Sequence, residues 1–280
     1  MSNITKNIPK IVIGKNKNSL HTNWKEILEY KDLFYFLTLR DIKIRYKQTV
    51  LGILWIIIQP ILSLITFTIV FGRFAKMPSD KIPYPIFVYI GQLFWNFFSS
   101  TLSGSAASLV SNENIIKKVY FPRIMAPISS IFSRFIDLIP TTAILIGMLI
   151  FYKVHIQLNI FILLPLMILL IVIFSLGVGM FLAPINAKYR DVRIALPFFI
   201  QLGFFITPVV YPTSLFGGTI KFIRILNPVA EAIEVSRSAF FGTRPTDWKI
   251  LALSASFALA TFFIGYFFFK KQEDKFIDIL

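Results

Sequence analysis

The sequence contains no cysteine, only two histidines and only 14 acidic residues among 280. The absence of cysteine excludes disulfide bonds, iron–sulfur clusters and thiol nucleophiles, and it leaves the redox compartment open. His21 and His155 are isolated, and no Cys, His or paired Asp motif has the spacing of a metal site. No loop of the form G-x-x-x-x-G-K-S/T occurs, so the chain cannot bind ATP in that way. We therefore expect no catalytic residue, metal or cofactor in this chain.

Charge is scarce and apolar residues dominate. Charged residues make up 15% of the chain and hydrophobic residues 56%, with 31 phenylalanines and a mean hydropathy of +0.71. These values lie outside the range of soluble domains and predict a membrane protein. The net charge of +15 could suggest nucleic acid, but a basic excess beside apolar runs suits an anionic inner leaflet. We expect membrane lipids as partners, and no nucleic acid.

Long uncharged runs predict an all-α membrane protein with six transmembrane helices. From Val50 to Phe71 there are 22 residues without a charge. As a helix they would span about 33 Å, enough for a hydrocarbon core about 30 Å thick. The other predicted spans cover residues 84–104, 125–152, 158–182, 194–211 and 250–269. Residues 1–49 are then a tail and a helix, and residues 50–280 are the six-span domain with a C-terminal tail.

The distribution of cations predicts the orientation. Four cations, Arg40, Lys43, Arg45 and Lys47, immediately precede the first span, and such clusters stay on the cytoplasmic side. With this orientation the inner segments hold 19 of the 29 Lys and Arg residues and the outer segments 9, while Arg134 lies within a span. Six spans would place both termini in the cytoplasm.

The basic segment itself predicts a helix over 24–47 with two apolar stripes. One stripe holds Tyr35, Leu39, Ile42 and Tyr46, and the other, on nearly the opposite side, holds Leu33, Leu37 and Ile44. A helix with two apolar stripes suits two neighbours. It is either an interfacial helix between the bundle and a second protein, or an ordinary membrane-surface helix.

Only the third predicted span carries internal charges. Arg134 and Asp137 are three residues apart on one helix face and can form an ion pair. Charges at membrane depth are costly and normally face a bundle interior or a water-filled path. If this helix protrudes from the bilayer, the pair instead lies near the headgroups.

Residues 111–123 predict a short inner helix. Glu113 lies in its first turn, Lys117 and Lys118 favour its end, and Pro122 prevents its continuation. The segment is either a displayed contact element or a plain polar turn.

Residues 212–249, between the last two predicted spans, indicate a short amphipathic outer hairpin. Pro228 interrupts it, and Gly242 marks its stop. Beyond the break, the sequence predicts a helix whose two faces differ in polarity. One face holds Val229, Ile233, Ser236 and Phe240, and the opposite face holds Glu231, Glu234 and Ser238. Arg237 follows the two glutamates one turn later. We interpret Glu231 and Glu234 as a solvated face and not as an acid/base pair. The hairpin is either a lid over an exit or a surface element without a gating role.

Several segments together resemble a known family. They are LRDIKIRYKQTVLGILW before and within the first span, IIKKVYFPR and AKYRDV in inner loops, ITPVVYP at the end of the fifth span, and NPVAEAIEVSRSAFFG before the last. In order and spacing, over about residues 24–272, they are similar to the permease subunit of type 2 ATP-binding-cassette (ABC) exporters for polysaccharides. The nearest members are O-antigen (lipopolysaccharide) export permeases, with teichoic acid and capsule exporters as close relatives.

The resemblance implies a homodimer that works with two copies of a separate ATPase, which holds ATP and Mg²⁺. The assembly would move a lipid-linked polysaccharide outward across the inner membrane. The implied coupling residues are Glu113, Lys117, Lys118, Pro122 and Arg123, and the implied interface-helix residues are Tyr35, Leu39, Arg40, Ile42, Arg45 and Tyr46. The implied outer gate includes Glu231, Glu234 and Arg237. Candidates for the substrate path are Trp55, Gln59, Phe94, Trp95, Phe97, Arg134, Asp137, Phe204 and Phe205. The aromatic residues among them are chosen because flat rings stack on sugars.

Two hypotheses from other classes stay open. An integral membrane enzyme acting on polyprenyl-linked sugars would need an acid or metal cluster, which the sequence lacks. An ATP-independent flippase would need more ionisable groups at mid-depth than one Arg/Asp pair.

Overall fold

The computed structural model describes residues 28–47, 54–80, 82–154, 157–189, 191–215, 220–242 and 246–273. Regular structure in these ranges is helical, so the predicted all-α class is confirmed for them. We number the α-helices of the described ranges α1 (Lys31–Tyr46), α2 (Leu54–Phe67), α3 (Tyr84–Ser111), α4 (Glu113–Ile116), α5 (Met125–Phe151), α6 (Ile160–Lys188), α7 (Asp191–Ile206), α8 (Ile220–Leu226), α9 (Pro228–Phe241) and α10 (Trp248–Gln272). A π-helical stretch, Thr68–Phe74, continues α2.

Among the described helices, four are long and apolar enough to cross a membrane. They are α2 with its π-helical continuation, α5, α6 and α10. Two further helices, α3 and α7, correspond to predicted spans but do not meet that description. α3 has 28 residues and carries Gln92, Asn96 and a row of serines, which lower its hydropathy. α7 has 16 residues, about 24 Å of helix, because the chain turns at Thr207 and Pro208.

Helix α3 lies at the centre of the bundle. It packs against α5, α6, α7 and α9 and contributes the largest share of the main hydrophobic cluster. Its residues from Ile86 to Phe98 are buried on every face except at Asn96. By contrast, α2 and α7 bury none of their residues in the single chain. The apolar sides of α2 and α7 therefore face lipid or another protein.

Two glycines set the spacing between α6 and α10. A Cβ atom on Gly265 would overlap the carbonyl group of Gly177, and one on Gly177 would lie 2.6 Å from the backbone of Phe262. Small residues at such crossings let two membrane helices approach closely, which increases their van der Waals contact. The close packing of α6 and α10 thus depends on these two positions.

A second hydrophobic cluster forms at one end of the bundle, which we call the α1 end. Leu37 of α1 is fully buried there among Leu109, Met125, Met180 and Phe269, which come from four other helices. α1 packs along α5. The opposite end of the bundle, where α9 packs on α3 and α6, is called the α9 end.

The ends of α9 follow the signals in the sequence. The side chain of Asn227 accepts hydrogen bonds from the backbone N–H groups of Val229 and Ala230, as an N-cap does. Gly242 ends the helix with φ +61°, a left-handed conformation that favours glycine, so its prediction as the stop is confirmed.

Enlarging Gly265 should weaken the bundle. We expect Gly265→Leu to destabilise the protein by about 1–3 kcal/mol, because the new side chain must push α10 away from α6. The measurement is the midpoint of thermal unfolding in detergent, followed by gel filtration of the heated samples. Gly147→Leu is the control, since a Cβ at Gly147 meets nothing within 4 Å. Equal midpoints for the two variants would contradict this account of the crossing.

Candidate functional site

Helix α1 is fastened to α5 by one carboxylate. Asp137 accepts a hydrogen bond from Arg45 Nη2 at 2.6 Å through one oxygen and one from the Tyr46 hydroxyl through the other. The ion pair that the sequence predicted between Asp137 and Arg134 is not formed, so that prediction is wrong. Its physical reason is that α1 brings two donors from 91 and 92 residues away to the oxygens of Asp137.

Tyr46 acts as a neutral donor in this arrangement. Burial and its hydrogen bond to the Asp137 carboxylate raise the pKa of Tyr46 to about 12. The hydroxyl therefore keeps its proton throughout the physiological range, and the bond to Asp137 persists there.

The Arg134 guanidinium lies against α3. A Cβ atom on Gly104 of α3 would lie 3.1 Å from Arg134 Nη2, so the guanidinium occupies the space that this glycine leaves. Its Nε is buried and has no hydrogen-bond partner among the described residues. The charge that was predicted to be neutralised within α5 is thus not paired there.

The face of α1 that points away from the bundle forms a groove of about 420 Å³. Its lining is apolar and basic: Phe36, Leu39, Arg40, Lys43, Ile44 and Lys47. Tyr35 is also exposed, whereas Leu37 faces the bundle. The two predicted stripes are therefore rearranged: Ile44 joins the outer groove, and Tyr46 from the other stripe turns inward to Asp137. Arg40 forms an ion pair with Asp41 at 2.6 Å.

The predicted inner helix exists as α4, but its most prominent side chains were not predicted. Lys117 pairs with Glu113 at 2.6 Å on the surface. Val119 and Tyr120, which follow α4, are 48% and 66% exposed, although both are apolar or aromatic. In the sequence, their exposure is indicated only by their position: they follow two lysines and precede the Phe-Pro pair, where the chain leaves the helix.

Two predicted coupling residues are not displayed on this loop. Pro122 and Arg123 are buried. The backbone N–H of Arg123 donates to Glu273 Oε1 at 3.2 Å, and its guanidinium donates to the Glu273 carbonyl. Glu273 also pairs with Lys270 at 2.7 Å. The end of the loop is therefore fastened to the end of α10, which explains why Arg123 is not at the surface.

The three residues predicted at the outer hairpin are buried, and the interpretation of Glu231 and Glu234 as a solvated face is wrong. Glu231 is 0% exposed and receives two hydrogen bonds from Arg224 of α8, at 2.6 and 3.1 Å. Glu234 accepts a hydrogen bond from Thr213 at 2.8 Å. The polar face of α9 is buried because Arg224 of α8 and Thr213, which follows α7, supply partners for its carboxylates.

Arg237 is held by backbone carbonyl groups. Its guanidinium donates to the carbonyls of Phe87, Pro208 and Val209 at 2.7 to 3.2 Å, and it stacks on the Phe87 ring at 3.5 Å. A Cβ on Gly91 would lie 2.9 Å from Nη2, so this glycine makes room for the guanidinium. Arg237 thereby joins α9, the turn after α7 and the first part of α3.

The predicted path aromatics fall into different environments. Phe94 and Phe97 are 1% and 4% exposed within the main cluster, and Phe97 packs against Phe135 at 5.4 Å, so they hold helices together in this structure. Trp95 and Phe204 lie 5.9 Å apart, and Trp95 lines an apolar cavity of about 500 Å³ between α3, α6 and α7. The remaining candidates lie on the exposed outer side of the single chain: Trp55, Gln59 and Phe205.

Within the described ranges, no three His, Asp or Glu side chains come together as a metal site would require. The polar clusters at both ends consist of arginines paired with single carboxylates or with backbone carbonyls. Such an arrangement can hold helices in register and can bind anions.

Comparisons with known proteins agree with one another. A family model described as ABC-2 type transporter matches residues 32–241. An O-antigen export system permease protein RfbA of Klebsiella pneumoniae is 28% identical over 89% of this chain and 95% of its own length. The RfbA protein of Myxococcus xanthus is 24% identical over 91% of this chain and 97% of its own. The polysialic acid transport protein KpsM of Escherichia coli is 26% identical over 85% of this chain and 92% of its own length.

Removing the charge of Asp137 should loosen α1. We expect Asp137→Asn to expose the residues under α1, because Arg45 loses its counter-charge and both donors lose a carboxylate acceptor. Because the chain has no cysteine, a single Leu37→Cys change on the buried face of α1 reports the opening through its rate of labelling by a maleimide. The rate should rise at least several-fold.

The matched control is Asp191→Asn in the same Leu37→Cys background, because Asp191 is an exposed aspartate at the start of α7. An unchanged labelling rate for Asp137→Asn would show that α1 is held by its apolar contacts alone.

Proposed function

The chain belongs to the ABC-2 type transporter family, and on this premise we propose that it is the membrane subunit of an ATP-driven exporter of a lipid-linked polysaccharide, with O-antigen as the first candidate. The observation that carries the proposal is the match to O-antigen export permeases over more than nine-tenths of their length. The match to a polysialic acid transport protein supports a capsular polysaccharide as the second candidate. In both cases the cargo would be a long glycan.

We place the α1 end on the cytoplasmic side of the inner membrane, with six spans and both termini in the cytoplasm. The cations of α1 and of the loop after α4 support this orientation, because both lie at the same end of the bundle. In this arrangement α3 and α7 cross the bilayer as the second and fifth spans. α3 tolerates its polar residues because neighbouring helices surround it.

The partner at the α1 end would be a separate ATPase that binds ATP and Mg²⁺. Two surfaces there combine exposed apolar and basic side chains: the groove on α1 and the Val119–Tyr120 tip with its lysines. Exposed apolar groups of this kind are typical of a protein contact. Two copies of the ATPase would serve a homodimer, and the uncovered sides of α2 and α7 leave room for the second permease copy.

The same contacts suggest how force would pass from the ATPase into the membrane. The loop that would contact the ATPase leads directly into α5 and is tied to α10 through Arg123 and Glu273. α1 is tied to α5 through Asp137. A displacement of either surface would therefore act on α5, and rigid helices transmit such shifts over their length.

At the α9 end, α8 and α9 would form the outer gate. Because Arg237 bonds α9 to the turn after α7 and to α3, the gate would move together with those elements and not as a free flap. The buried pairs Glu231–Arg224 and Glu234–Thr213 support the same behaviour.

Depletion of the protein in its own cells tests the proposed function. We expect the lipid-linked polysaccharide to accumulate on the cytoplasmic side, because synthesis continues while export stops. The measurement is immunogold or lectin labelling of the polymer with and without permeabilisation of the inner membrane. Normal surface polymer after depletion would overturn the proposal, and turnover of a polyprenyl-linked sugar by the purified chain alone would favour a membrane enzyme.

The exposed tip after α4 should be needed for the ATPase contact. We expect Lys118→Glu combined with Tyr120→Ser to reduce the recovered ATPase at least tenfold in co-purification, because the change removes an exposed ring and reverses a charge. Tyr152→Ser with Lys153→Glu is the matched control, since these residues are exposed at the far end of α5. Arg123 is unsuitable for this test, because it is buried against Glu273. Full recovery of the ATPase with the first variant would refute the assignment of this surface.

A further inference from the structure

The junction of α1, α3 and α5 contains more positive charge than its carboxylates neutralise. Arg45 and Arg134 share the neighbourhood of Asp137, and the charges of Arg45 and Asp137 both act on the Arg134 guanidinium. The nearby Arg40 is already balanced by Asp41. One positive charge is therefore left without a counter-charge among the described residues.

The surplus charge coincides with unused hydrogen-bond donors. Asp137 occupies only Nη2 of Arg45, and Arg45 Nη1 is buried without a partner. The Arg134 guanidinium makes no hydrogen bond to any described residue, and its Nε is buried. A buried charged donor that lacks an acceptor is unfavourable, so this site is suited to an anion that supplies acceptor oxygens.

The depth of the site limits which anions can reach it. α5 has 27 residues, about 40 Å of helix, whereas the hydrocarbon core is about 30 Å thick. Arg134 lies nine residues after Met125, about 14 Å from the start of α5. With the excess length at the α1 end, its guanidinium lies close to the boundary between headgroups and acyl chains. At that level the abundant anions are lipid phosphates.

We propose that Arg45 and Arg134 form a binding site for a phosphate group carried by a lipid. The planar fork of Arg134 matches the tetrahedral oxygens of a phosphate, and Arg45 can donate to the same group from Nη1. Asp137 is the positioning residue, since it fixes Arg45 while leaving Arg45 Nη1 unused. The diphosphate of a polyprenyl-linked glycan and the phosphate of a membrane phospholipid share this chemistry. The inference relies on the proposed function only for the first of these two sources.

Binding to the purified full-length chain in a phosphate-free non-ionic detergent tests the site. The probes are a polyprenyl diphosphate, phosphatidylglycerol, inorganic diphosphate and the neutral polyprenol with the same tail. We expect the wild type to bind a phosphate-bearing lipid, and Arg134→Gln and Arg45→Gln to bind it at least tenfold more weakly. Arg134→Lys should be intermediate, because it keeps the charge but loses the fork.

Two controls separate a binding role from a structural one. Tyr46→Phe also removes a donor to Asp137 but keeps both guanidiniums, so it should weaken binding of the lipid far less than either glutamine variant does. Arg73→Gln changes an exposed arginine at the π-helical end of α2 and should have no effect. Should the glutamine variants fail to fold, the wild type alone remains decisive: the phosphate-bearing lipid should raise its thermal midpoint, and the neutral polyprenol should not.

Each outcome has a defined meaning. Tighter binding of the diphosphate lipid than of phosphatidylglycerol supports the site and identifies the carried lipid as its source, while equal binding supports the site with membrane phospholipid as the source. Binding of inorganic diphosphate alone, or wild-type affinity in both glutamine variants, overturns the proposal. Because the measurement needs neither ATPase nor transport, failure of the site and failure of the exporter function are distinguishable.

Discussion

The architecture of the α1 end depends on the hydrogen bonds that Asp137 of α5 accepts from Arg45 and Tyr46 of α1. A carboxylate within a membrane helix is unfavourable unless it is paired, and here its partners arrive from a helix that precedes the first span. The requirement to neutralise Asp137 therefore fixes where α1 lies. It also brings Leu37 into the second hydrophobic cluster and leaves the opposite face of α1 outward.

A different constraint orders the rest of the bundle, namely the enclosure of α3. Its residues are buried on nearly all sides, so every neighbouring helix must accommodate it. Glycines at three of its contacts make this possible: Gly104 accepts Arg134, Gly179 lies against Ser105, and Gly91 accepts Arg237. Arg134 at the α1 end and Arg237 at the α9 end thus both pack against glycines of α3. This places α3 between the surface that would meet an ATPase and the hairpin that would form the gate.

The sequence predicted the helical class, most span positions and the ends of α9, because these depend on local properties. Runs without charge, the Asn227–Pro228 pair and Gly242 act within a few residues of themselves. The first span was placed from Val50 to Phe71, and the described helix runs from Leu54 to Phe74 through its π-helical end. For these features the physical cause is contained in the segment itself.

The ion pairs and the burial of charge could not be predicted, because their causes are distant in sequence. The spacing of Arg134 and Asp137 favoured a pair within one helix, but partners 91 and 92 residues away compete for the carboxylate. The polarity of α9 indicated a solvated face, yet Arg224 and Thr213 from preceding segments cover it. The acceptors of Arg237 are carbonyl groups, which leave no trace in the residue types. For α7, the span was predicted beyond the turn at Thr207, where the helix had already ended.

The way Arg237 is held has a consequence for how this protein can diverge. All its hydrogen-bond acceptors are main-chain oxygens, which every amino acid supplies equally. Phe87 also contributes its ring to the anchor, but Pro208 and Val209 contribute only their carbonyl groups, so their side chains can change over generations without loss of these hydrogen bonds, while the arginine itself has no equivalent substitute. The side chains that a cargo would contact at the α9 end could in this way change, and with them the cargo that is accepted, while Arg237 keeps α9 in place.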